Sequence, residues 1–438
     1  MPCRLQVGYD ADVVVSPRTQ CESLVLGRGA KNLRDPGRVR LPTAVAAVLG
    51  RSRELPKESD TIWLVHASTG RGHQKAAEAV ASALAVADPP VPVRLLDVLD
   101  LCDWPLAFGF RAGYAFAVTR ATRLYRRLYY RWETPRAALA SPLLRFALPF
   151  AGRLTRTVSE SGPSLAISTH FLATHLLGRL RAQGLWDGAL WEVITDFRPH
   201  GFQVLEGVER YLVPTPDASR ALSELGVEAG AAVVTGIPCS EEFLRASRGR
   251  LDAAHRLGPA RVLFSGHGIP EAKLAPWVAR LAHSPEVRLV VYGVASRRLR
   301  TRLSRATAAA PNPVEVLGPV EDLPRRMAGS DLLVSKAGGL TCTEAMQAGL
   351  PTVLCLCYPG QEEENRDYLV AQGAAARADH PDEILRLVGD PAALEALASY
   401  GHRAAPPGAA RRIAALALDR LGLGLRAAPA RQPVAVGA

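Results

Sequence analysis

Asp331-Leu332-Leu333-Val334-Ser335-Lys336-Ala337-Gly338-Gly339-Leu340-Thr341-Cys342-Thr343-Glu344-Ala345 reads as a buried strand, a glycine turn and a helix carrying a carboxylate. A further apolar run, 351–355, follows from Pro351, and then a polar loop, Gly360-Gln361-Glu362-Glu363-Glu364-Asn365. Strand, turn, helix and strand in that order make a parallel α/β unit. A helix N-terminus at Gly339 to Thr341 can hold phosphate, and Glu344, a turn further on, can accept hydrogen bonds from a ribose diol. Gln361, Glu362 and Asn365 then stand where the hydroxyls of a sugar would be met. The plainer alternative is a capped helix followed by a solvated acidic loop.

Outward from this unit, apolar runs of strand length recur at 261–265, 287–292 and 314–317, with helical stretches between most of them. An earlier series has the same rhythm: 61–67 then a helix over 74–87, 165–168 then a helix over 172–183, and 191–195. Between the two series lie Gly236-Ile237-Pro238 and an Arg-rich stretch ending at Gly258-Pro259, which reads as a connection between domains. The prediction is an α/β protein of two Rossmann-like domains, 60–245 and 246–425, facing a central cleft. A poorly ordered extension, 1–59, and a disordered tail, 426–438, flank them. In such a fold the chemistry sits on loops at the carboxyl ends of strands.

Three loops of the predicted crevice carry polar candidates. Ser68-Thr69-Gly70-Arg71-Gly72-His73 joins the first strand to its helix; Gly70 and Gly72 let a substrate approach the backbone, and His73 projects from a helix N-terminus. The helix end disfavours an imidazolium there, so a neutral His73 can take a proton from an attacking hydroxyl. A tight turn with a capping histidine fits the same residues. Thr195-Asp196-Phe197-Arg198-Pro199-His200 puts Asp196 and His200 on the same crevice, as site groups or as a turn-initiating aspartate and a surface histidine. Ser265-Gly266-His267-Gly268 leaves backbone N–H groups at Gly266 and Gly268 free for a diphosphate, or makes an ordinary strand-to-helix turn. Neither a Gly-x-Gly-x-x-Gly spacing nor a Gly-Lys-Ser/Thr ending is present, which argues against dinucleotide oxidoreductases and P-loop nucleotidases.

The chain has 438 residues, 48% of them apolar, and a mean hydropathy of +0.04, enough to bury two cores. The most apolar stretch, 137–152, is broken by Pro142, Arg145 and Pro149 and falls short of the roughly 20 residues a membrane helix needs. No cleavable leader is evident after Met1-Pro2-Cys3-Arg4, so a cytoplasmic protein is predicted. Seven scattered cysteines without a Cys-x-x-Cys pair read as reduced thiols, and no His-Glu-x-x-His cluster points to a metal. A net charge of +11 and a pI near 9.6 call for an anionic partner, nucleic acid or an acidic membrane.

The loop sequences resemble a known family: the bacterial processive diacylglycerol glucosyltransferases and plant monogalactosyldiacylglycerol synthases, with the peptidoglycan N-acetylglucosaminyl transferase more distant. The likeness runs from about Thr61 to about Asp382. It rests on Thr69-Gly70-Arg71-Gly72-His73, on Thr195-Asp196-Phe197 with His200, on Thr235-Gly236-Ile237-Pro238, and above all on Lys336 to Glu344 with Gly360-Gln361-Glu362 and Asn365. The resemblance implies a GT-B type glycosyltransferase that inverts the anomeric centre, with the acceptor held by the first half and a UDP-sugar by the second. It assigns His73 as general base, Glu344 to the ribose, Gln361, Glu362 and Asn365 to the donor sugar, and Lys336, Gly338, Gly339 and Thr341 to the diphosphate. No cofactor is implied beyond UDP-glucose or UDP-galactose as donor substrate. The sequence departs from the family where Gln203 replaces a common tryptophan and where the loop at 265–268 is shorter.

From Phe108 to Arg156 aromatic residues alternate with arginines, densest at Tyr125, Arg126, Arg127, Tyr129, Tyr130, Arg131 and Trp132. Such a stretch suits the interface of an anionic bilayer, or an amphipathic helix packed on its own domain. No RNP-type or helix-turn-helix signature supports nucleic acid. The expected activity is transfer of glucose or galactose to diacylglycerol at the inner face of the cell membrane. Two alternatives stand beside it: the same chemistry on another lipid or a specialised metabolite, and a non-catalytic basic membrane-binding protein.

Overall fold

The computed structural model describes residues 61–87, 91–251 and 258–423; the extension 1–59 and the tail 426–438 lie outside the described residues. Two six-stranded sheets, every strand pair parallel, form the frame. The first has the order β2-β1-β3-β4-β5-β6, with β1 Ile62–His66, β2 Val93–Asp97, β3 Leu165–Ser168, β4 Ala189–Val193, β5 Arg210–Val213 and β6 Ala232–Val234. The second has the order β12-β11-β10-β7-β8-β9, with β7 Ala260–Ser265, β8 Val287–Tyr292, β9 Glu315–Val316, β10 Leu332–Ser335, β11 Thr352–Leu354 and β12 Ala376–Arg377.

Strands β1, β3 and β4 are buried along their whole length because helices cover both faces of a parallel sheet. Trp63 and Val65 face one core with Leu154, Leu172 and Trp186, while Ile62 and Leu64 face another with Val80, Leu84 and Trp191. The last described helix, Ala409–Arg420, corrects the division by chain order. Its Ile413, Ala414, Ala417 and Leu418 complete the core beneath Ile62 and Leu64, so this piece of 246–425 belongs to the first sheet. Arg412 donates to the Thr235 carbonyl (3.0 Å from Nε) and Arg420 pairs with Glu209 at 2.9 Å. An amphipathic helix buries its apolar stripe wherever a sheet face is uncovered, whatever its place in the chain.

The carboxyl ends of both sheets meet at the cleft. Gly339 lies so close to the Thr195 carbonyl oxygen that an added Cβ would collide with it, and one on Gly72 would sit 3.8 Å from Leu340 Cβ. Phe197, Ile237 and Cys239 are buried in the second domain's core. The two halves are thus fitted to each other through the very turns the sequence singles out.

Candidate active site in the interdomain cleft

His73 stands in the first turn of the helix Arg71–Val86, whose N-cap, Gly70, supplies no side-chain hydrogen bond. Its Nδ1 lies 2.5 Å from the carbonyl oxygen of Thr169, just after β3. A carbonyl only accepts, so Nδ1 carries the proton and Nε2 keeps a free lone pair. Thr169 Oγ1 in turn donates to the His73 carbonyl at 2.9 Å. The His170 ring meets that of His73 edge to face, 4.7 Å between centroids. Burial lowers the pKa of His73, and the Asp196 carboxylate opposes that shift without reversing it. The result is a neutral imidazole with one nitrogen fixed and the other available, as proton transfer from a hydroxyl requires.

Asp196 is almost fully buried and clasped by the other domain. The Asn365 amide donates to its Oδ1 at 3.0 Å and the Gln361 amide donates to its Oδ2. Asn365 also donates to the Ala337 carbonyl at 3.1 Å and accepts from the Phe197 N–H at 2.8 Å, so its donors and acceptor are all engaged by protein. Expected at the donor sugar, Asn365 instead knits 195–197 to the turn at 336–339. Burial raises the pKa of Asp196, the two amides and His73 pulling it back.

Glu344 is 7% exposed, and its carboxyl has no hydrogen bond or ion pair among the described residues. Burial pushes its pKa up to about 8, with Lys75 alone acting the other way. A buried carboxyl without partners is costly unless something donates to it, and a vicinal diol offers two donors. It lies on the helix Gly339–Gln347, whose N-cap Gly338 has open space where a side chain would be and no capping hydrogen bond. The helix N-terminus with Thr341, half exposed in its first turn, is therefore free to meet an anion.

Lys336 Nζ pairs with Glu362 at 2.8 Å and lies 4.4 Å from the centre of the Tyr358 ring. The other Glu362 oxygen accepts from the Tyr358 N–H at 2.8 Å, and the Tyr358 hydroxyl donates to the Gly268 carbonyl. Three loops of the second sheet thus converge beside Gly268. Gly266 serves packing: a Cβ there would come 2.8 Å from Val294, and its N–H already donates to the Tyr292 carbonyl. His267 has its pKa lowered by burial and then by the charges of Arg71 and Lys336. A diphosphate arriving here meets a positive field drawn from both domains.

His200, expected on the acceptor side, is a structural anchor. Its Nδ1 accepts from the Phe202 N–H at 3.3 Å, so Nε2 is the donor to the Tyr129 carbonyl at 3.0 Å, and burial lowers its pKa to about 4. Gln203, the departure from the family pattern, accepts from the His200 N–H at 2.8 Å. The basic stretch also divides in a way that its alternation does not reveal. On the helix Thr122–Arg131, Arg126, Arg127, Tyr130 and Arg131 are exposed. Tyr129 is buried against the second domain, and Tyr125 packs between Tyr114 and Tyr129 at 6.1 Å from each; Trp132, half-buried, packs on Phe202. Tyr125 and Tyr129 therefore leave the set expected to face a membrane: their rings pack inward while the charged side chains seek water. Sequence reasoning misses Thr169 and His170, although 165–168 reads as a strand and the rule of carboxyl-end loops points to whatever follows it.

Residues 73–239 match a family model described as monogalactosyldiacylglycerol (MGDG) synthase, and 270–390 match one described as glycosyl transferases group 1. The processive diacylglycerol beta-glucosyltransferase of Bacillus subtilis is 29% identical over 241 residues, 54% of this chain and 62% of that protein. The alignment with its Bacillus licheniformis counterpart spans 53% of that protein, so this chain covers less than two thirds of either. Monogalactosyldiacylglycerol synthase 1 of Arabidopsis thaliana is 28% identical over 389 residues, 83% of this chain and 71% of that one. Among solved structures, MurG of Acinetobacter baumannii matches with a TM-score of 0.52 at 15% identity, covering 82% of this chain and 100% of that one. The S. aureus MnaA–UDP co-structure matches at 0.55 and 13%, covering 83% and 97%. At such identities the structural likeness speaks for the fold, two Rossmann-like domains of the GT-B type. With the family models and the sequence relatives beside it, the chain is similar to the monogalactosyldiacylglycerol synthases and the processive diacylglycerol glucosyltransferases.

Proposed function

We propose that the protein is an inverting glycosyltransferase that moves glucose or galactose from a UDP-sugar to the free hydroxyl of diacylglycerol. The observation that carries this reading is the pairing across one cleft of a neutral His73 with the Glu344 carboxyl behind an uncapped helix N-terminus, His73 Nε2 and that carboxyl having no hydrogen-bond partner among the described residues. The acceptor oxygen bonds to the sugar's anomeric carbon, its proton passes to His73 Nε2, and the bond to UDP breaks with its electron pair on the departing phosphate. The N–H groups at the helix start and the charges of Lys336 and Arg71 favour that departing charge. Names of the sequence relatives support a diacylglycerol acceptor and a hexose.

No described helix is long and apolar enough to cross a membrane. Access to a lipid acceptor then falls to the insertion between β2 and β3. Residues 104–156 hold ten arginines against one acid, Glu133. Trp104, Phe108, Phe116 and Phe146 there are 77%, 66%, 62% and 59% exposed, far more than Tyr125 or Tyr129. These rings, with Tyr130 and the outward arginines, suit peripheral attachment to an anionic membrane, on the inner face of the cell membrane in this reading.

Binding of UDP, UDP-glucose and UDP-galactose, followed by product analysis with diacylglycerol and a panel of other hydroxylated lipids and metabolites, tests the proposal. A glycolipid made from diacylglycerol supports it. Turnover on another acceptor alone favours the broader transferase reading, and donor binding without turnover on any acceptor favours the non-catalytic one.

A further inference from the structure

The basic helix Thr122–Arg131 touches the second domain at the start of the helix Gln361–Ala371, which carries Gln361 and Glu362. Gly360, immediately before that helix, has φ +80°, a conformation suited to glycine, and a Cβ there would meet the Tyr129 ring at 2.8 Å. The Tyr129 hydroxyl donates to Glu364 at 3.3 Å, and Arg126 lies 3.7 Å from Glu363. From behind, the His200 ring packs on Tyr129 at 4.1 Å and its Nε2–H donates to the Tyr129 carbonyl. The tyrosine is thus fixed by the loop after β4 and seated on the turn before the donor loop.

We propose that Tyr129 is a positioning residue for the donor sugar: from the first domain it sets the first turn of the helix Gln361–Ala371, and so the placement of Gln361 and Glu362. This deepens the proposed function and rests on its assignment of that loop to the sugar. Two features make the effect specific to the sugar. Glu344 and Thr341, with the N-cap Gly338, assigned to the nucleotide, belong to another helix, with which Tyr129 shares no hydrogen bond or ring contact among the described residues. Gln361 is tethered at its far end to Asp196, so a shift at the Gly360 turn re-aims its amide. Displacements of about 1 Å in such a turn suffice to spoil a hydrogen-bonding constellation.

The test is calorimetric titration of UDP and of UDP-glucose and UDP-galactose into the full chain: wild type, Tyr129→Phe, Tyr129→Ala and Gly360→Ala. Tyr129→Ala and Gly360→Ala are expected to weaken the bound UDP-hexose at least tenfold while UDP changes less than twofold; Tyr129→Phe, which keeps the ring, stays within threefold for both. Should Tyr129→Ala fail to fold, Gly360→Ala carries the comparison from the opposite side of the contact. Equal weakening of UDP and UDP-hexose, or no change in either, overturns the positioning role while wild-type binding keeps the functional reading. A wild type that binds UDP but neither hexose donor removes the proposal together with the donor assignment, and one that binds no uridine nucleotide removes the nucleotide reading too.

Discussion

The turn after β1 and the turn after β10 are built alike and equipped differently. Each leads from a fully buried parallel strand into a helix whose glycine N-cap, Gly70 or Gly338, leaves the first N–H groups without a side-chain partner. The first turn places a histidine in that positive end and anchors its Nδ1 on the Thr169 carbonyl, while burial keeps the ring neutral. The second places no ionisable group at the helix start and sets a carboxyl one turn deeper, buried and unpartnered. In the proposed reading, one scaffold thus supplies a proton acceptor in one domain and a polyol acceptor behind an anion-binding end in the other. The difference lies in which helical position holds the titratable side chain and what its neighbours already satisfy.

If that division of labour is right, variants in the two turns separate cleanly. His73→Ala is expected to lower turnover by about 10²- to 10⁴-fold, the usual contribution of a positioned general base, with UDP affinity within twofold of wild type. Glu344→Ala is expected to weaken UDP about ten- to a hundredfold, as loss of hydrogen bonds to a charged group of about 1.5–3 kcal/mol implies, in the same calorimetric assay. Unchanged turnover in the first variant, or unchanged UDP binding in the second, would break the comparison.

The pH dependences sharpen it. His73 acts when neutral and its pKa is lowered, so the acid limb of kcat/KM should fall below about pH 6.5, with a plateau above. Glu344 is mostly protonated at pH 7, its pKa near 8, and diol donors favour the ionised form. UDP binding should therefore release a proton and strengthen from pH 6 to 8; Glu344→Gln should abolish that proton release, measurable by titration in buffers of different ionisation enthalpy. A release that persists in Glu344→Gln assigns the proton elsewhere.

Smaller effects are expected where the two turns are tied together. Asn365→Ala removes the amide that satisfies the buried Asp196 and the Phe197 N–H, at a cost of about 2–3 kcal/mol, or roughly 4–10 °C in Tm by thermal denaturation. Replacing Trp104, Phe116 and Phe146 together with Ser should reduce partition into anionic vesicles about tenfold in a sedimentation assay. It should leave UDP affinity untouched. Loss of both would mean that the insertion supports the cleft and not a lipid surface.

Much of the frame is legible in the residues themselves. Apolar runs at 165–168 and 287–292 are strands over the same residues, because a buried parallel strand needs no polar alternation. The shorter β5, β6 and β12 leave weaker marks, and β2 is hidden beside Val91-Pro92. His73 and Glu344 can be singled out because glycine turns after strands have a known geometry. What one sequence does not supply is partnership across 70 or more residues: that Asn365 spends itself on Asp196, that His200 grips Tyr129, and that Ala409–Arg420 returns to the first sheet. Residue type and periodicity report what a side chain can do, whereas its neighbours decide which capacity is left over for a ligand.

The most direct test of the account is UDP release from UDP-glucose and UDP-galactose, with and without diacylglycerol in anionic vesicles. Release from one donor that depends on the lipid, accompanied by a glycosylated lipid and lost in His73→Ala, is the expected result. Lipid-independent release, or none from either donor despite measurable UDP binding, would contradict it.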